Sequence, residues 1–159
     1  MEAKPKIAWI EDDYLLLEEN LYFLSKVFNV DTFRGGDSRY IDLSYAKQKV
    51  ITEKYDGIIL DDMLLRQEVY PFDNRDVGGH LLEDIRSNIP NRKTPLLMYT
   101  TERDSDIIET YMNNGADCVL PKSSHLLFLD LRNSESFSLH ERPDYTSFKN
   151  MILSAYSFD

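Results

Sequence analysis

Apolar positions in this chain fall into two kinds of run. Five runs are short and almost unbroken: Lys6–Ile10, Val30–Phe33, Gly57–Leu60, Pro95–Thr100 and Asp117–Leu120. Short continuous apolar runs read as strands buried on both faces of a parallel sheet. The segments between them carry a helical period instead. Leu17, Leu21, Leu24 and Phe28 form one stripe, and Leu81, Leu82, Ile85 and Ile89 a second. Ile107, Ile108, Tyr111 and Met112 form a third, with Gly115 placed where a left-handed helix stop belongs. Phe148, Met151, Ile152 and Ala155 form a fourth, and the Ala, Lys, Gln and Glu content between Ser38 and Lys54 permits another helix. Strand and helix alternating five times predicts an open α/β sheet with helices on both faces and right-handed crossovers.

Composition narrows the function. At 159 residues the chain fits one domain with a sizeable core. Its net charge of −10 argues against a nucleic-acid surface, which rests on Lys and Arg neutralising phosphates. No apolar stretch is long enough for a membrane span. The apolar run before Glu11 is too short for a signal peptide, so a cytoplasmic location is expected. One cysteine, Cys118, excludes an intrachain disulfide and reads as a small buried thiol. His80, His125 and His140 lie far apart without metal-ligand spacing.

In open α/β sheets ligands bind beyond the carboxyl ends of the strands. Glu11 and Asp12 follow the first run, Asp61 the third and Lys122 the fifth, while Thr100 closes the fourth. Neighbouring carboxylates repel one another unless a cation joins them, and hard carboxylate oxygens suit Mg²⁺. A carboxylate left free on one side can attack phosphorus. An ammonium such as Lys122 would offset charge on the phosphoryl oxygens, and Thr100 can donate a hydrogen bond to them. Asp13 is expected to cap the following helix.

These residues sit in segments that resemble the receiver domains of two-component response regulators. Lys-Ile-Ala-Trp-Ile-Glu-Asp-Asp looks like the family's first strand with its acidic pair, Glu11 and Asp12. Tyr-Asp-Gly-Ile-Ile-Leu-Asp-Asp-Met-Leu looks like the third strand and places the phosphoacceptor on Asp61. Thr-Pro-Leu-Leu-Met-Tyr-Thr-Thr resembles the fourth strand, with the switch hydroxyl on Thr100, and Asn-Gly-Ala-Asp-Cys-Val-Leu-Pro-Lys leads to the family's lysine, Lys122. The resemblance, close over residues 4 to about 122 and looser beyond, implies a flavodoxin-like, doubly wound, five-stranded parallel sheet; residues 1–159 are read as a single receiver domain, with no room expected for an output domain. It implies Mg²⁺ held by Glu11, Asp12, Asp61 and the backbone carbonyl of Met63. It also implies a histidine kinase or phosphotransfer protein as phosphoryl donor, as in a phosphorelay, a downstream protein target, and scope for a homodimer. Such a domain is a phosphoprotein of signal transduction that catalyses its own phosphotransfer and dephosphorylation, rather than an enzyme acting on separate substrates.

The sequence departs from the family in five respects. Ser123 follows Lys122 where the family has proline, and a cis bond before a non-proline costs roughly 2.5–4 kcal/mol, so the sequence leaves the isomer at Lys122–Ser123 open. Val119 occupies the position of the aromatic switch residue, and Thr101 is bulkier than the small residue usual after the hydroxyl. Two segments, 64–76 and 123–143, are longer than the pattern; the second contains the apolar piece Leu126–Leu131. A lid or kinase-docking role for the first and a signalling role for the second are the readings these loops invite. Two rivals remain. One is a receiver-like docking module that is never phosphorylated. The other is a haloacid-dehalogenase-like phosphohydrolase, against which Met63 stands where a second catalytic Asp would be needed.

Overall fold

The computed structural model describes residues 3–33, 41–62, 64, 77–124, 126–133 and 142–157. Five strands run β1 (Lys6–Ile10), β2 (Asn29–Asp31), β3 (Gly57–Leu60), β4 (Leu96–Thr100) and β5 (Cys118–Pro121). All pair in parallel, in the order β2-β1-β3-β4-β5. Among the described residues six helices accompany them: α1 (Tyr14–Leu24), α2 (Leu43–Thr52), α3 (Val77–Ser87), α4 (Ser105–Asn113), α5 (Leu127–Asn133) and α6 (Pro143–Ala155). This is the doubly wound sheet the alternation predicts. None of the described helices is long and apolar enough to cross a membrane.

Each sheet face carries its own core. Ala8, Ile10, Ile58, Leu60, Leu96 and Met98 pack against α2, α3 and α4. Ile7, Trp9, Ile59, Leu97, Tyr99 and Leu120 pack against α1, α5 and α6. Successive residues alternate between the two, as the period of a strand requires. Helix starts follow local chemistry. Asp13, Asp42 and Asp104 cap α1, α2 and α4, their side chains accepting from Leu16, Tyr45 and Asp106 amides. α4 stops at Gly115, whose φ of 113° suits glycine; its amide donates to Met112 and that of Ala116 to Tyr111, closing a Schellman turn.

Three stripes end differently from the sequence pattern. α1 stops at Leu24, so Phe28 lies past the helix, buried edge-on against Phe148 at 6.0 Å. Ile89 enters a 3-10 turn, Ile89–Asn91, that carries it out to 80% exposure. Ile107 is also exposed, whereas Ile108 and Tyr111 face the core. Of the apolar piece at 126–131, all but Leu126 lies in helix α5. Of the other long segment, 64–76, only Leu64 is described, and it is buried.

Two buried side chains organise the frame. Asn91 donates to the carbonyls of Val50 and Glu53 at 2.6 Å and accepts from the Tyr55 amide at 2.8 Å. Asn20 on α1 accepts from the Leu127 amide at 2.9 Å and from the Tyr156 hydroxyl, and so joins α1 to α5 and to the end of α6.

Candidate functional site

Strand register assembles the site. Ile10 pairs with Leu60, so the residues just beyond them, Glu11 and Asp61, emerge side by side. The Asp61 amide donates to the Ile10 carbonyl at 3.0 Å. Strand order reverses between β1 and β3, where open sheets of this order bind ligands. On the other side Thr100 pairs with Pro121, and the Lys122 amide donates to the Thr100 carbonyl at 2.6 Å.

Glu11, Asp12 and Asp61 each bring a carboxylate oxygen within 4.8 Å of the others. Lys122 Nζ lies 2.7 Å from Glu11 and 3.0 Å from Asp61. The ammonium therefore bridges two buried carboxylates, although the Lys122–Ser123 bond is trans, as is every described peptide bond. Glu11 is held in turn by the Asp12 and Asp13 amides at 3.2 and 3.3 Å.

The electrostatics show how crowded this corner is. Burial pushes the Asp61 carboxyl up to about 6, with Lys122 pulling against it. Burial, then the charge of Asp61, raises Glu11 well above the ordinary range. Burial works against the Lys122 ammonium, yet Asp61 and Glu11 together outweigh it and raise its pKa. Three acids facing one ammonium leave an unbalanced negative charge, which a divalent cation would relieve. The donor set fits Mg²⁺: hard oxygens, close together, with Asp12 half-exposed toward solvent. The fourth expected ligand, the Met63 carbonyl, lies outside the described residues.

Thr100 points elsewhere. It shares strand parity with Met98 and so faces the α2–α3–α4 side, where its Oγ1 donates to Asp62 Oδ1 at 2.5 Å. Asp62 is 2% exposed and also accepts from the Tyr111 hydroxyl on α4 at 2.8 Å. In the sequence pattern Tyr111 reads only as a member of an apolar stripe, and Asp62 as a second acid beside Asp61. Val119, at the position of the family's aromatic residue, is fully buried in the core beneath α4. Thr101 is exposed.

Backbone closes on backbone beside Asp61. A Cβ on Gly78, near the start of α3, would lie 1.9 Å from the Asp61 carbonyl oxygen. The Gly78 amide donates to the Asp62 carbonyl at 2.8 Å, which fixes the turn carrying both aspartates.

No family model matches the sequence, and no curated protein does. Solved structures do match. The chain is similar to a two-component response regulator from Clostridium difficile, with 22% identity and a TM-score of 0.62 over 97% of this chain and 100% of that one. It is similar to a CheY-like response regulator receiver domain protein from Methanospirillum hungatei, with 16% identity and a TM-score of 0.61 over 96% and 97% of the two chains. The fold is that of a response-regulator receiver domain. A third structure, chemotaxis response regulator CheY4 of Vibrio cholerae, has 21% identity and a TM-score of 0.59 over 77% of this chain and 89% of that one. Within the receiver fold, the acidic cluster lies at the carboxyl ends of β1 and β3.

Proposed function

We propose that the chain is a phosphoacceptor receiver that takes a phosphoryl group onto Asp61 from a histidine kinase or phosphotransfer protein. The observation that carries this reading is the Lys122 ammonium bridging Glu11 and Asp61 beside a three-carboxylate cluster. A bound Mg²⁺, held by Glu11, Asp12 and Asp61, would neutralise charge on phosphoryl oxygens.

The rest is work for this chain's own residues. An Asp61 oxygen forms the new bond to phosphorus while the donor's P–N bond breaks. The electron pair goes to the donor's imidazole nitrogen, which takes up a proton. Lys122 turns from the carboxylates to the phosphoryl oxygens, which gain its charge in place of Asp61. Thr100 leaves Asp62 and donates to the same group. Output passes through a partner protein that reads the resulting change at α4, to which Asp62 is tied by Tyr111.

Acetyl phosphate with Mg²⁺, followed by mobility on a phosphate-affinity gel, tests the reading. A shifted band that Asp61→Asn lacks is expected. No shift in the wild-type protein would refute the reading and leave a docking module that works without phosphorylation.

A further inference from the structure

The loop that aims Lys122 carries neither proline nor a cis bond after the lysine, yet Lys122 is only 13% exposed and points at its partners. Arg103 donates to the Lys122 carbonyl at 2.5 Å, and a residue of the long segment after the lysine holds the next two amides. Asp130, on α5, is 3% exposed. Its Oδ2 accepts from the amides of Ser123 at 3.1 Å and Ser124 at 3.3 Å, the two residues that directly follow the lysine. The same oxygen accepts the hydroxyl of Tyr99, whose ring lies 5.7 Å from Lys122 Nζ. One carboxylate thus fixes the backbone behind Lys122 and the ring against which its ammonium rests.

α5 is itself anchored. Ser124 Oγ accepts from the Leu126 amide at 3.2 Å, and Asn20 of α1 accepts from the Leu127 amide. The carboxylate is therefore delivered from a fixed helix rather than from a free loop. A buried charge with three donors is an expensive arrangement to break on one side. Nothing in packing alone asks for an acid at this position, since its neighbours Leu127 and Leu131 join the apolar core beneath α5.

We infer that Asp130 is a positioning residue for Lys122, holding the Lys122–Ser124 loop in the conformation that keeps the ammonium at Asp61. The inference rests on the phosphoacceptor reading above for its functional consequence, but its geometry stands without it.

The test uses the full chain. Lys122 reactivity toward acetic anhydride, followed by mass spectrometry in metal-free buffer and judged against exposed Lys47, reads the position of the lysine directly. Asp130→Asn should raise it severalfold, because the neutral amide holds the two backbone amides less firmly. The second readout is the rate of modification by acetyl phosphate, where Asp130→Asn should be about tenfold slower, the scale on which supporting hydrogen-bond partners act. In a Lys122→Ala background the same change should add no further slowing, because its route runs through the lysine. A multiplicative loss there would mean a general structural role and would overturn the inference. So would unchanged reactivity of Lys122. Asp130→Ser, smaller but still an acceptor, carries the same test if Asp130→Asn does not fold. If the wild-type protein takes no phosphoryl group, the phosphoacceptor reading fails, and the labelling experiment still decides the role of Asp130.

Discussion

Thr100 and Asp62 share a hydrogen bond of 2.5 Å, buried beneath α4 and one residue away from the carboxylate that takes the phosphoryl group in our reading. The Thr100 hydroxyl is thus committed to a neighbour of Asp61. Recruiting it means breaking that bond.

Asp62→Ala removes the competing acceptor. We expect beryllofluoride, a phosphoryl mimic, to bind roughly fivefold more tightly to this variant, the equivalent of about 1 kcal/mol for one hydrogen bond. The fold should lose about 1–3 kcal/mol, since the hydroxyls of Thr100 and Tyr111 both lose a buried partner. Calorimetric titration and urea unfolding measure the two effects. Equal affinity in both proteins would show that Thr100 is not recruited.

The acidic corner sets a pH dependence. Burial lifts Asp61 to about 6, against an ordinary value of about 3.9. A raised carboxyl binds its proton more tightly in the folded state, so its cost is absent below the unfolded value and complete above the folded one. Stability should therefore fall as pH rises from about 4 to 6. Lys122, raised by the same partners, stays charged in both states across that window and does not cancel the slope. Asp61→Asn should stabilise the protein by about 1–2 kcal/mol at pH 7.5, with the gain fading toward pH 4. Thermal melts at the two pH values check this. Added Mg²⁺ should raise the melting temperature of the wild-type protein more than that of the variant.

Gly78→Ala should damage the site through the backbone. Its new methyl would overlap the Asp61 carbonyl oxygen, which is main chain and cannot swing aside. We expect a loss of about 1–3 kcal/mol in stability, as for other overpacked contacts, together with loss of phosphoryl acceptance. Urea unfolding and the acetyl phosphate assay follow the two effects. A variant of wild-type stability would show that the α3 start can retreat.

Trp9 reports on the site from within. It is fully buried, shares strand parity with Glu11 and lies 6.4 Å from the Tyr99 ring. Mg²⁺ or beryllofluoride should change its emission, since either alters the charge two residues away. An unchanged spectrum with both ligands at saturating concentration would place binding elsewhere.

The sheet was legible because buried parallel strands are apolar on both faces, and β1 and β3 emerge with the expected bounds. β2 is shorter and earlier than its apolar run, because Phe33 is buried past the strand end rather than paired within it. That Glu11, Asp12, Asp61 and Lys122 converge was legible from position: each lies within two residues of the end of an apolar run. Asp62, Tyr111 and Asp130 were not. A buried acid and a solvated acid look identical in sequence, and only the donor across the fold tells them apart. For Asp62 that donor is Tyr111, 49 residues on; for Asp130 it is Tyr99, 31 residues back.

The small hub at Asn20 has reach beyond its size. Its side-chain oxygen takes the Tyr156 hydroxyl on one side and the first turn of α5 on the other. The last turn of the last helix is therefore wired, through one amide side chain, to the helix that delivers Asp130. Trimming the protein just before Tyr156, or fusing a bulky tag that pulls on it, would be felt through Asn20 and α5 as a loosened grip on the Lys122 amine.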